Sequence, residues 1–335
     1  GENHFQEENS RIFLNIFRNL YYNAKVRTIF LESGYAVGLI AQHYFETGDY
    51  SSLKIISEDG QFEELHYRFL KDFYDKCPSD DKFKIVGIDL ENYSFEDSFI
   101  YAIRLLFRDT VMPETLNTML EDFEIIVENE PYDVIQESFG DIFSDYRKNK
   151  ETYRFLLKDR YYDYAELIER MRESLKFELY NYNFGNDSIQ LSKRENYIYR
   201  NIRRGIKRYP DCNYFGQFGL AHIGLSRFLA INKKCKIESF ISKLNNYNNS
   251  PVKDSVCSVL ILYLNKYYGD YNKLYYYYNE LTYMVSTKKY LPAKVYKILK
   301  EYPGDDGFYY VNLVNENSPF REFSKKNYQY LIFKR

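Results

Sequence analysis

Two short apolar runs, Val26–Leu31 and residues 83–88, constrain the fold of this chain more than any other feature. The first is rich in β-forming residues and the second is almost continuously apolar. Each is followed at once by a carboxylate, Glu32 after the first and Asp89 after the second. A short strand that is apolar on both faces needs cover on both, which a parallel sheet between helices provides. Helical periodicity surrounds the runs. Phe13, Ile16, Phe17, Leu20 and Ala24 share one face of a predicted helix over 5–24. Further helices are predicted near 36–44, ended by Gly48-Asp49, and over 61–75. This alternation of strand and helix predicts an α/β core.

From about 95 to 190 the pattern changes to charge mixed with aromatics, with few glycines and only Pro113 and Pro131 as breakers. A mainly helical insertion or lid is expected there. A helix over 191–209 returns the chain to the sheet, and 215–222, 256–264, 308–314 and 328–333 read as further strands. Residues 245–250, with Pro251 after them, read as a polar loop. The expected architecture is a mostly parallel central sheet flanked by helices, within a single α/β domain spanning 1–335. A chain of 335 residues buries a full core at this size.

Charge narrows the partners. The 46 Lys and Arg nearly balance 48 Asp and Glu, so no global field draws the chain to nucleic acid or a membrane. Only one helix is basic, which makes a nucleic-acid binder the least favoured class. No apolar run approaches a membrane span in length. Cys77, Cys212, Cys235 and Cys257 are widely spaced, without a C-x-x-C pair, which argues against a zinc cage. The chain has 38 Tyr and 26 Phe but no Trp. The tyrosine run at 275–278 reads as part of a half-buried helix rather than a stacking platform. The chain opens abruptly in a motif that should follow a strand, so upstream processing is expected and the compartment stays open.

Polar residues at the ends of apolar strands are where open α/β sheets place their chemistry. In Gly1-Glu2-Asn3-His4 a carboxylate and an imidazole two positions apart precede an amphipathic helix. There they can face one cleft and exchange a proton, beside a helix N-terminus that favours developing negative charge. With an ordinary histidine pKa near 6.5, His4 is the natural general base. The alternative is a loop carboxylate and a surface histidine. Glu32 either orients the imidazole or is an edge carboxylate in solvent. Asp89 is a site residue or a helix cap. His222, after the small-residue segment Gly219-Leu220-Ala221, is a site residue or a core histidine. His43 and His66 lie outside the pattern.

On the 191–209 helix Ile198, Ile202, Ile206 and Tyr209 form the apolar stripe. Arg194, Asn201 and Arg208 flank it, whereas Lys193, Arg200, Arg204 and Lys207 lie further round, in water. Arg194 is a candidate anion clamp and Asn201 a candidate cleft residue.

Taken together, these motifs resemble the erythromycin esterase-like family, within the superfamily that also holds ChaN-like haem-binding lipoproteins and Tiki-type metalloproteases. Gly1-Glu2-Asn3-His4 resembles its opening G-E-x-x-H or G-E-x-H motif, one residue shorter than in the macrolide esterases, Glu32 its strand-ending glutamate, and Val86-Gly87-Ile88-Asp89 its G-x-D strand. Arg194-Glu195 with Asn201 resembles R-[DE]-x-x-M-A-x-N, with Ile198 and Tyr199 in place of Met and Ala. His222 matches the last histidine of H-N-x-H, and Gly219 stands where the first would be. The resemblance implies a metal-independent, cofactor-free hydrolase cleaving an ester or related bond of a small molecule. Glu2, His4, Glu32 and His222 would carry the chemistry, and Arg194, Asn201 and Asp89 would bind substrate. It also implies two alternatives, a ChaN-like haem, iron or small-ligand binder without turnover, and a metal-dependent hydrolase ligated by Glu2, His4 and His222.

Overall fold

The computed structural model describes residues 8–59, 63–91, 96–177, 188–219, 222–225, 229–232, 235–263, 308–312 and 329–334. The described residues fall into two compact units, the first within Ser10–Tyr182 and Arg200–Gly216, the second within Asn183–Tyr199 and Gln217–Arg335.

The first unit holds the expected α/β core. Helix α1 (Glu8–Ala24) leads into strand β1 (Val26–Leu31), and helices α2 (Tyr35–Thr47), α3 (Tyr50–Asp59) and α4 (Glu64–Lys76) precede β2 (Lys84–Gly87). The two strands pair in parallel, with Thr28 opposite Lys84 and Leu31 opposite Gly87. A third strand, β3 (Asn213–Gln217), completes an all-parallel sheet in the order β2-β1-β3. The periodicity of α1 is realised in its buried face. Phe13 and Phe17 are wholly enclosed, and Phe17 packs edge-on against Phe83, with ring centroids 5.0 Å apart at 81°. Burial on that scale contributes roughly 1.5–3 kcal/mol per large apolar side chain. Helix α2 is buried along most of its length, as a helix lying on a sheet must be, and it ends at Gly48 as expected.

The described part of the insertion is mainly helical: α5 (Glu96–Leu106), α6 (Glu114–Asn129), α7 (Tyr132–Lys148), α8 (Lys150–Leu157) and α9 (Tyr161–Ser174). With no tryptophan, phenylalanine and tyrosine fill its interior. Phe99, Phe123 and Phe139 form one cluster, with centroids 5.8–6.1 Å apart. Phe107, Tyr146, Tyr153 and Tyr164 form another. Helix α10 (Ser188–Arg208) follows, its stripe of Ile198, Ile202 and Ile206 buried and its outer Lys193, Arg200 and Lys207 exposed, as the pattern predicts, whereas Arg204 is half-buried and pairs with Glu166 (3.3 Å).

The second unit differs from the expectation of one continuous sheet. Among the described residues, β4 (Leu229–Asn232) and β5 (Cys235–Ile237) form an antiparallel pair. Helix α11 (Phe240–Asn246) follows. Strands β6 (Val259–Tyr263), β7 (Phe308–Asn312) and β8 (Tyr330–Lys334) then pair among themselves in the order β6-β8-β7. Pairing is parallel between β6 and β8 but antiparallel between β7 and β8. No described helix is long and apolar enough to cross a membrane. The 275–278 run lies outside the described residues.

Candidate active site

In the first unit, the parallel register brings the ends of β1 and β2 to one edge, and with them Glu32 and Asp89. The Ile88 N–H donates to Leu31 O (3.1 Å) and the Asp89 N–H to Ser33 O (3.0 Å), so pairing continues past both strands. Glu32 is half-buried there, while Asp89 is buried and accepts the Leu90 N–H at Oδ1 (2.8 Å). Gly87 permits this approach. A Cβ on it would lie 1.8 Å from Gly34 O, inside any tolerable contact.

Two buried side chains hold the β2 end in place. Asn201, fully enclosed on α10, donates its amide to Ile88 O (2.9 Å). Arg170, 1% exposed on α9, donates to Gly87 O (2.8 Å) and to Glu166 (2.8 Å), and its guanidinium lies 4.3 Å over the Tyr35 ring. The Tyr35 hydroxyl in turn donates to Asp163, which also pairs with Arg208 (2.5 Å). Asn201 thus sits beside the segment carrying Asp89, with its amide committed to the backbone.

Sequence reasoning missed Glu91, two residues beyond Asp89. Its carboxylate is buried and accepts the first N–H groups of α2, Tyr35 N at 2.5 Å and Ala36 N at 3.2 Å. Its own N–H donates to Ser174 Oγ (2.8 Å). Burial pushes its pKa up to about 7, against the opposing pull of Arg170 and the two helix N–H groups, while Asp89 adds to the rise.

In the second unit the notable arrangement is a buried imidazole–carboxylate pair. The expected strand over 215–222 ends early, at Gln217, and His222 sits in a turn closed by its own N–H on Gly219 O (3.0 Å). Its Nδ1 lies 2.5 Å from Glu195 Oε1, with the two side chains 7% and 6% exposed. The ring stacks on Phe240, centroids 5.6 Å apart at 28°. The other Glu195 oxygen accepts the Phe240 N–H (2.6 Å) at the start of α11. Lys243 is buried nearby, donating to Asn196 (2.8 Å), and burial lowers its pKa against the opposing charges of Glu195 and Glu238. Glu195 carried a readable signal: three residues before Ile198, it is an acid on the apolar stripe of its helix.

The remaining predicted residues divide simply. Glu2 and His4 lie outside the described residues. Arg194 is half-buried on α10. His66, outside the predicted pattern, is enclosed against Phe13, and burial lowers its pKa to about 3, so it stays neutral. A cavity of about 350 Å³ walled by α3, α5 and α6 contains none of the predicted site residues.

No family model and no curated protein matches the chain. Solved structures do. An erythromycin esterase, EreC, in its open conformation as a histidine-to-asparagine mutant, is similar with a TM-score of 0.57 and 13% identity, over 78% of this chain and 68% of that one. A structural-genomics protein from Bacillus cereus matches with a TM-score of 0.58 at 12% identity, over 96% of this chain and 83% of its own. A succinoglycan biosynthesis protein matches with a TM-score of 0.57 at 12% identity, over 97% and 83%. The chain therefore shares the fold of erythromycin esterase, at an identity that speaks for the fold alone.

Proposed function

We propose that this chain is an esterase-like hydrolase in which His222, oriented by Glu195, transfers protons during attack of water on an ester or related bond of a small molecule. The observation that carries this reading is the 2.5 Å contact between His222 Nδ1 and Glu195 Oε1. A carboxylate on one ring nitrogen fixes the tautomer and orientation of an imidazole and supports the imidazolium that forms in the transition state. Nε2 is then the nitrogen that exchanges a proton with water or the leaving group. The shared fold with an erythromycin esterase supports the reaction class.

The family resemblance further implies His4 as a base that activates water, with Glu2 and Glu32 orienting it or relaying protons. The same resemblance implies Arg194 and Asp89 as substrate contacts. Asn201 serves by fixing Ile88, whose carbonyl it holds.

The test is turnover of a panel of nitrophenyl esters and macrocyclic lactones by the purified protein and its variants. His222→Ala is expected to lower kcat by on the order of 10²–10⁴-fold while the protein stays folded. Glu195→Gln should lose less, because the amide still offers one acceptor to the ring. An unchanged rate in His222→Ala would refute the assignment of the base. Absence of hydrolysis across the panel would count against the reaction class.

A further inference from the structure

The geometry points to Glu91 as a positioning residue that caps α2 from 55 residues away and thereby sets the turn carrying Glu32. The role assigned to Glu32 rests on the hydrolase reading; the cap does not. Helix α2 starts at Tyr35, and its N-cap residue is Gly34, which has no side chain to receive the exposed N–H groups of the first turn. Both oxygens of Glu91 fill that place, at 2.5 Å from Tyr35 N and 3.2 Å from Ala36 N. A Cβ on Gly34 would lie 2.4 Å from Glu91 Oε2, so the glycine and the distant glutamate occupy one cap position between them.

The turn between β1 and α2 is consequently held at three points. Leu31 O receives Ile88 N–H, Ser33 O receives Asp89 N–H, and Tyr35 N–H reaches Glu91. Glu32 lies within this frame. Glu91 is itself anchored, since its N–H is held by Ser174 Oγ on α9. Removing the carboxylate frees the third point and lets α2 fray at the end that determines where Glu32 sits. A displacement on the order of 1 Å at a reacting group costs about 10²-fold in rate.

The experiment pairs amide hydrogen exchange over 32–38 with ester kinetics, for Glu91→Ala, Gly34→Asp and the double variant. Glu91→Met, which keeps the side-chain volume without an oxygen acceptor, replaces Glu91→Ala if the latter does not fold. Gly34 has φ −59° and ψ 161°, a conformation open to aspartate. Glu91→Ala should speed exchange at Tyr35 and Ala36 and lower kcat on the order of 10- to 100-fold with KM little changed. Gly34→Asp alone should also be impaired, because its side chain meets Glu91. The double variant should regain part of both exchange protection and kcat relative to either single variant, since the introduced aspartate caps α2 locally while its Cβ still lies 3.2 Å from the residue 91 Cα. Compensation of that kind is not expected of a merely filled core.

Unchanged exchange in Glu91→Ala overturns the cap. Faster exchange with unchanged kcat overturns the positioning role and leaves the hydrolase reading intact. If the unmodified protein hydrolyses nothing, the hydrolase reading fails, and the exchange arm alone still decides whether Glu91 caps α2.

Discussion

Gly87 shows how tightly single atoms are constrained at the sheet edge. Its missing side chain lets the β2 end meet the Gly34 carbonyl, where a methyl group would sit at 1.8 Å. Because the obstructing atom is backbone, Gly87→Ala must displace the turn that carries Glu32. Thermal unfolding should report a loss of about 1–3 kcal/mol or more, the usual cost of overpacking. An unshifted melting temperature would mean the edge is looser than drawn. The glycine was legible in sequence as the middle of Val86-Gly87-Ile88-Asp89, and so were the carboxylates after each strand. Glu91 was not. Its function depends on a helix that starts 56 residues earlier, and no local spacing encodes that contact. Glu195 was half legible, as an acid on an otherwise apolar stripe. Its partner in the turn at His222 was not, because the expected strand stops at Gln217, short of it.

At the scale of elements, long periodic segments were readable and short ones were not. Strand β1 occupies the predicted residues, and the helices at 5–24, 61–75 and 191–209 appear within a few positions, since about eleven or more residues of 3.6-fold periodicity leave little ambiguity. Strands β4 and β5, of four and three residues, carry no period to read. Helix α3 was missed because Gly48-Asp49 reads as a stop, although Asp49 also starts the next helix by accepting the Ser52 N–H (2.8 Å).

The α2 cap gives this scale its own prediction. Burial raises the Glu91 pKa from 4.5 to about 7, with Arg170 opposing the rise and Asp89 adding to it. Between those values the folded protein holds a proton that the unfolded chain has released. The group's contribution to stability is therefore fully present below about pH 4.5 and is lost as pH rises through about 7, a change on the order of 3 kcal/mol. Urea unfolding at several pH values should show the stability difference between wild type and Glu91→Gln shrinking as pH rises across this window. A difference that grows with pH would mean the charged form is the one the fold prefers.

For the whole molecule, similarity to EreC at 13% identity fixes a fold that also serves a succinoglycan biosynthesis protein, so the chemistry must be argued from the side chains. The same His and carboxylate residue types serve both metal-bound and metal-free hydrolysis, and a carboxylate beside Nδ1 is compatible with either. Glu195 gives one oxygen to His222 and the other to the Phe240 N–H, and it lies 6% exposed. Were a metal held at Nε2, Glu195 would be the outer partner that orients the ring. On the proposed reading Nε2 meets water rather than a metal. Hydrolysis by this pair should then survive exhaustive dialysis against a chelator, with kcat and KM unchanged, and the purified protein should show no haem absorption band. If chelation abolishes turnover and one equivalent of zinc or manganese restores it, water is activated by a metal, and the metal-free mechanism fails. In that case the ligands are expected among Glu2, His4 and His222, with Glu195 orienting the His222 ring from Nδ1.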